Sequence, residues 1–177
     1  MESISIDSLL SKKDYLNFCR FRSYYLNKAS RNLLVFPLLL ALFAIMNFVL
    51  KNTVLGWILL VLALLIPLWM SLSLRGYAIK EAKNFGLEKP RVVYSFRLNN
   101  EAIHVENNHE KADYQWSQVW KLFRTKQYFY LYMTPQRAFI IPIEGMESGE
   151  EEQLWTLAGQ RMAAEKLVQK KPWYEKG

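Results

Sequence analysis

Cysteine is all but missing from this 177-residue chain. Cys19 stands alone, so no intramolecular disulfide can form, and cysteine usage says nothing of the redox compartment. Histidine is nearly as scarce, with only His104 and His109. Together with Glu106 and Glu110 they make the one grouping with metal-ligand chemistry. Their spacing falls on a strand and a turn with no second ligand pair, so solvated turn residues are the expected use and no metal is expected. No glycine-rich loop follows a strand to cradle a phosphate, and no Ser, His and acid stand in a nucleophile motif, although triads assemble in space. The expectation is a protein that is not an enzyme, with no catalytic residues and no cofactor. Acidic residues are outnumbered 16 to 23, which leaves a net charge of +7.

Two long stretches lack charge altogether. Residues 33–50 are apolar apart from Asn47, and residues 54–74 are apolar apart from Ser71 and Ser73; neither contains Asp, Glu, Lys, Arg or His. At ~1.5 Å per residue they span ~27 Å and ~32 Å, against a hydrocarbon core of ~30 Å. Lys51-Asn52-Thr53 between them leaves room only for a tight turn, so an antiparallel transmembrane hairpin is expected over 33–74. Ion pathways and proton relays need ionisable groups inside the bilayer, so a transporter or pump acting alone is disfavoured. The first run begins too deep for a secretory signal peptide and reads as an uncleaved signal-anchor. Pro37 falls in the first turns of the first helix and Pro67 inside the second. Trp57, Trp69 and Tyr77 flank the second run as aromatic belts do.

Charge sets the orientation. Residues 1–32 hold six Lys or Arg, and Arg75, Lys80, Lys83, Lys89 and Arg91 follow the second run, whereas the loop has only Lys51. The positive-inside rule places both termini in the cytoplasm and Lys51 outside, in a multi-pass protein of the cell membrane. The same crowding makes anionic lipid a simpler partner than nucleic acid, and no nucleic-acid partner is expected.

The soluble flanks divide into residues 1–32 and 91–177. Ser3-Ile4-Ser5-Ile6 alternates polar and apolar; it is either an edge strand or a frayed terminus. Ser11 has the place of a helix N-cap, with Asp14 reaching into the first turn. Residues 12–31 then contain no Gly or Pro, so one uninterrupted helix is expected. Tyr15, Phe18, Phe21 or Arg22, and Tyr25 fall at helical spacing and form a stripe on it. Lys12, Lys13, Arg20, Arg22, Lys28 and Arg31 form its basic complement. This helix either lies on anionic headgroups or packs against the soluble domain with its charges in water. Gly86 is expected to stop the second apolar helix and Pro90 to mark a boundary.

Beyond Pro90 the period changes from 3.6 to 2. Val92, Tyr94, Phe96 and Leu98 alternate with polar or opposite-facing neighbours. So do Ile103 and Val105, then Ala112, Tyr114 and Trp116. Residues 119–124, 128–133 and 137–143 complete a series of short strands separated by Asn, Thr, Gln and Pro turns. An antiparallel meander closed into a half-barrel or small roll is expected, since so many aromatics need an inside face. Trp116 and Trp120 either line a pocket or fill the core, and core packing is the simpler use. Ser148-Gly149-Glu150-Glu151 reads as a capping box opening an amphipathic C-terminal helix. Leu154, Leu157, Ala158, Met162 and Leu167 give that helix its apolar face. Lys166, Lys170 and Lys171 close it and Pro172 ends it.

Tyr94-Ser95-Phe96, Trp116-Ser117-Gln118-Val119, Tyr128-Phe129-Tyr130-Leu131-Tyr132 and Ala138-Phe139-Ile140-Ile141-Pro142 resemble the YcxB-like family of bacterial membrane proteins. The Asp14-Tyr15 opening and the two preceding helices are similar too. Where relatives often carry a basic residue after the Ile-Pro pair, this chain has Ile143-Glu144. The resemblance implies a bacterial inner-membrane protein of α+β class. Its implied layout is a two-helix transmembrane hairpin, a small antiparallel β domain laid out like bacterial pleckstrin-homology-like modules, and a C-terminal helix. It implies no activity. Two functions are left open. One is a cytoplasmic binding or regulatory module that meets the bilayer, its anionic headgroups or a membrane partner. The other is an assembly subunit that acts through its hairpin, as a homo-oligomer or within a larger complex.

Overall fold

The computed structural model describes residues 3–26, 29–108 and 110–172, with only the backbone described for residues 29–34. Two compact units emerge: residues 1–18 together with 86–177, and residues 19–85.

The first unit is built on two four-stranded sheets. β1 (Ile4–Leu10), β2 (Arg91–Leu98), β3 (Ala102–Glu106) and β4 (Lys111–Gln115) follow in that order, all antiparallel. The second sheet takes β5 (Lys121–Arg124), β6 (Tyr128–Tyr132), β7 (Ala138–Pro142) and β8 (Leu167–Gln169) in the order β7-β6-β5-β8, with β8 parallel to β5. The alternation at Ile4 and Ile6 is therefore an edge strand. Ile4, Ile6 and Leu10 point inward, and Ile6 lies opposite Phe96. The inner faces meet in one core that includes Ile6, Phe96, Ile103, Leu122, Phe129 and Ile141. Buried Ser8 links the sheets by donating from Oγ to the Ile140 carbonyl at 2.6 Å.

The C-terminal helix α4 spans Glu150–Arg161 and packs Leu154 and Ala158 against that core, joined by Met162 just past its end. It is shorter than expected: Met162 is already extended, and the chain continues into β8 before Pro172. The helix start also differs. Gly149 is the N-cap with φ of +95°, a left-handed conformation that glycine adopts without strain, so no Ser148–Glu151 box forms. Glu150 instead reaches back to accept from the Glu147 amide at 2.8 Å.

The N-terminal helix α1 spans Lys12–Phe21. Its opening is as expected: the Asp14 carboxylate accepts from the Ser11 amide at 2.7 Å and from its hydroxyl at 2.6 Å. An uninterrupted α-helix to Arg31 is not found, because Arg22–Leu26 forms a π turn.

In the second unit α2 (Ala29–Val49) and α3 (Thr53–Asn84) lie side by side. Because α2 starts four residues before the apolar run, Pro37 sits inside the helix, two turns past its start and beyond the first turns expected for it. Lys51 turns the chain with φ of +61°, and Asn47 donates from Nδ2 to the Phe43 carbonyl at 2.8 Å. Close approach is made at Gly56: a Cβ there would stand 2.8 Å from the Phe48 ring. α3 is long and apolar enough to cross a membrane. Gly86, with φ of +67°, follows its end as expected.

Candidate functional site

The first part of α1 docks through Phe18 on the outer face of β6. All five β6 residues are buried, because Phe129 and Leu131 face the core while Tyr128, Tyr130 and Tyr132 lie beneath α1. Phe18 packs on Tyr130 and Tyr132 at ring separations of 5.6 and 6.2 Å. The Tyr128 hydroxyl donates to Asp14 Oδ1 at 2.8 Å and accepts from Asn17 Nδ2 at 3.0 Å. Nothing in the spacing of Asn17 marks it as buried; its contact is made by a strand 111 residues away. The cations of this segment are on its other side. Lys12, Lys13, Arg20 and Arg22 are exposed, while Lys28 lies outside the described residues and the Arg31 side chain is likewise not described.

Trp116 does not line an open pocket. It is 4% exposed and donates from Nε1 to the Asn99 carbonyl at 2.9 Å. β4 ends at Gln115, and Trp116 opens a 3-10 turn that folds its indole into the core. Trp120 is half-buried, with its ring 6.0 Å from Tyr132 and the Lys121 ammonium 5.1 Å above it.

His104 lies on the outer face of the first sheet between β2 and β4. Its Nδ1 is 2.5 Å from Asp113 Oδ1 and its Nε2 is 3.3 Å from Asn99 Nδ2. That fits a ring donating to the carboxylate and accepting from the amide, which occupies both nitrogens. His109 lies outside the described residues. Glu106 pairs with Lys111 at 2.6 Å, and Asn107 Oδ1 accepts from the Glu110 amide at 2.7 Å. No group of three His, Cys, Asp or Glu suited to a metal occurs among the described residues.

These turn residues border a cleft of about 450 Å³ beside the start of β2, where Val92, Val93 and Tyr94 run beyond the last pair that β2 makes with β3. Its walls mix amides, carboxylates and apolar groups. Ser95 and Glu106, both on its wall, are cross-strand partners on β2 and β3.

One charged cluster escaped the sequence reading. Arg124 on β5 donates from Nε and Nη2 to Glu151 Oε1 at 3.0 and 2.7 Å, and also contacts Glu152. Its guanidinium lies 5.6 Å from the Trp155 ring centre. Two of the three acids in the first turn of α4, Glu151 and Glu152, thus bolt the helix to the sheet. Hydrogen bonding to Glu152 chiefly holds Arg124 above its ordinary pKa, against the opposing effect of burial. The same bond holds the Glu152 carboxyl below its ordinary value. A depressed carboxyl stabilises the fold above its unfolded pKa, and that contribution is lost as pH falls through the folded value. Arg124→Met is therefore expected to flatten the acid limb of stability below about pH 4.5, read as melting temperature against pH for the detergent-solubilised chain. An acid limb as steep as the parent's would refute this role.

Residues 98–156 match the model of the YcxB-like protein family. No curated protein matches the chain. No solved structure matches it either. The matched third begins at the end of β2 and stops within α4, leaving out β1, α2, α3 and β8. Over the 3-10 turn that holds Trp116 and the strands Tyr128–Tyr132 and Ala138–Pro142, this chain carries a YcxB-like region, as its sequence resemblance implied.

Proposed function

We propose that the chain is a two-pass membrane protein whose β unit acts, without catalysis, as a binding or regulatory module on the cytoplasmic face. The observation that carries this reading is the pairing of β1 with β2 on either side of the helical unit. The chain leaves the β unit after Phe18 and re-enters it at Gly86, while Leu10 lies opposite Arg91 in one ladder. Any membrane crossing between them must be matched by a return, since an odd number would put β1 and β2 on opposite sides of the bilayer. With α3 as one crossing, α2 supplies the other: its 21 residues reach ~32 Å. Exposed side chains such as Leu64, at 67%, and Trp69, at 70%, are what lipid would cover. The Lys and Arg bias orients the pair with Lys51 outside. Two sheets around one core plugged by α4 support a pleckstrin-homology-like roll as the form of the module.

A test uses single cysteines in a Cys19→Ser background. Asn52→Cys should react with a membrane-impermeant maleimide in intact cells, and Glu144→Cys only after lysis. Reaction of both, or of Glu144→Cys alone, would sink the two-pass arrangement or its orientation.

A second reading rests on the hairpin. An apolar groove of about 420 Å³ opens between α2 and α3, lined by Pro37, Ala41, Ala63 and neighbouring aliphatic side chains. Small residues at such a groove let another transmembrane helix approach closely, which favours assembly into a homo-oligomer or larger complex. Loss of a detergent-resistant oligomer on Ala41→Phe would separate this role from the first.

A further inference from the structure

At one end of the first sheet an apolar pair is turned outward. From Ile6↔Phe96 to Ser8↔Tyr94 the two strands keep step, and Tyr94, Phe96 and Leu98 are in phase toward the core. Val92 continues that phase in the sequence. A bulge between Ser8 and Leu9 adds one residue to β2, so that Leu9 lies opposite Val92. Leu9 belongs to the outward-facing set of β1, and the shift sets Val92 beside it. The two are 49% and 46% exposed. Bulges re-aim side chains, and here the effect is to spend two aliphatic residues on solvent, where the core could have taken one of them.

The surroundings narrow what would cover this pair. Arg91 is next to Val92 and Lys89 is three residues before Val92; Lys12 and Lys13 follow Leu10, which lies opposite Arg91. All four are exposed. The acids at this end are Asp7 on the same outer face, Glu88, Glu110, Asp14, which is engaged by Ser11 and Tyr128, and Glu106, which is paired with Lys111. β2 also runs four residues past its last pair with β3, so the apolar pair lies at the end of the sheet. The chain leaves the β unit after Phe18, eight residues past Leu10, and re-enters it at Gly86, five residues before Arg91.

We propose that the end of the β unit formed by Leu9 and Val92, with Lys12, Lys13, Lys89 and Arg91 around it, seats on an anionic phospholipid surface. This rests on the two-pass reading and adds to it a second, peripheral contact with the same bilayer. The aliphatic pair enters the interfacial layer while the four cations meet headgroup phosphates, each favourable near a negative surface and screened by salt. The contact fixes the orientation of the β unit on the membrane.

The test uses the full chain with Cys19→Ser, reconstituted into vesicles of phosphatidylcholine with phosphatidylglycerol, or of phosphatidylcholine alone. An environment-sensitive fluorophore is attached in turn to Leu9→Cys, Val92→Cys, Asp113→Cys and Leu64→Cys, all exposed sites. Spin-labelled lipid should quench the probes at 9, 92 and 64, and aqueous iodide the probe at 113. Quenching at 9 and 92 should fall severalfold without phosphatidylglycerol, or with Lys12, Lys13, Lys89 and Arg91 changed to Gln. If the probe at 64 is quenched by lipid while those at 9 and 92 behave like that at 113, the docked end is overturned and the two-pass reading stands. If the probe at 64 is itself open to iodide, the two-pass reading falls and the inference with it. Equal quenching in both vesicle types would overturn the assignment to anionic headgroups.

Discussion

Residues 86–177 produced without residues 1–18 are expected not to fold cooperatively. β1 contributes the buried side chains of Ile4, Ile6 and Leu10 to the β unit. At ~1.5–3 kcal/mol for each buried aliphatic side chain, their loss removes ~5–9 kcal/mol. A natural domain holds only ~5–15 kcal/mol in all. The loss also bares the β2 edge, an unpaired strand carrying Phe96 and Leu98 and so a template for aggregation. Removing α1 along with β1 uncovers Tyr128, Tyr130 and Tyr132 as well. Joining residues 1–18 to residues 86–177 should restore folding, because the break is covalent and not structural. Leu10 and Arg91 are cross-strand partners, and seven further residues in α1 carry the chain ~10 Å. A flexible linker of about ten Gly and Ser residues, with an r.m.s. reach of ~17 Å, should bridge from Phe18 to Gly86. Near-ultraviolet circular dichroism with thermal melts of both proteins decides the matter. A cooperative melt of residues 86–177 alone, at the temperature of the joined form, would show β1 to be dispensable.

The strands after Pro90 were legible because each has its own two-residue period and its own turn. Tyr94, Phe96 and Leu98, then Ile103 and Val105, declare their face without help from any partner. β1 was only half legible. Four alternating residues cannot say what they pair with, and the partner lies beyond the whole helical unit. The bulge at Leu9 was hidden for a related reason. Val92 keeps perfect phase with Tyr94 in the sequence, and only the register with β1 shows that it faces outward. At the C-terminus a helical period carried through to Leu167, yet the chain turns out of the helix at Met162. There Leu167 and Val168 meet Leu122 and Phe123 in a parallel ladder, and the Lys166 ammonium reaches the Val119 carbonyl at 2.8 Å. Acids at a helix start likewise look the same whether they serve the dipole or a distant Arg124. What local sequence withholds in each case is the identity of the long-range partner.

Trp116→Ala is expected to be the most damaging single substitution in the β unit, at ~3–5 kcal/mol. The indole fills the core where β4 gives way to the 3-10 turn, and its N–H satisfies the Asn99 carbonyl from the β2–β3 turn. Alanine would leave a cavity and strip that carbonyl of its donor. Trp116→Phe separates the two effects: most of the ring volume stays while the hydrogen bond goes, so a smaller cost of ~1–3 kcal/mol is expected. Gln118→Ala is the control within the same turn. Its side chain is exposed, and its Oε1 accepts from the Gln115 amide at 2.9 Å. Losing that cap should cost ~1 kcal/mol, since water can replace the acceptor. The order Trp116→Ala, Trp116→Phe, Gln118→Ala in falling loss of melting temperature follows if Trp116 acts as a core anchor. Had the indole been a ligand platform, Trp116→Ala would melt with the parent and lose only binding. An alanine variant as stable as Gln118→Ala would move Trp116 out of the core and into that role.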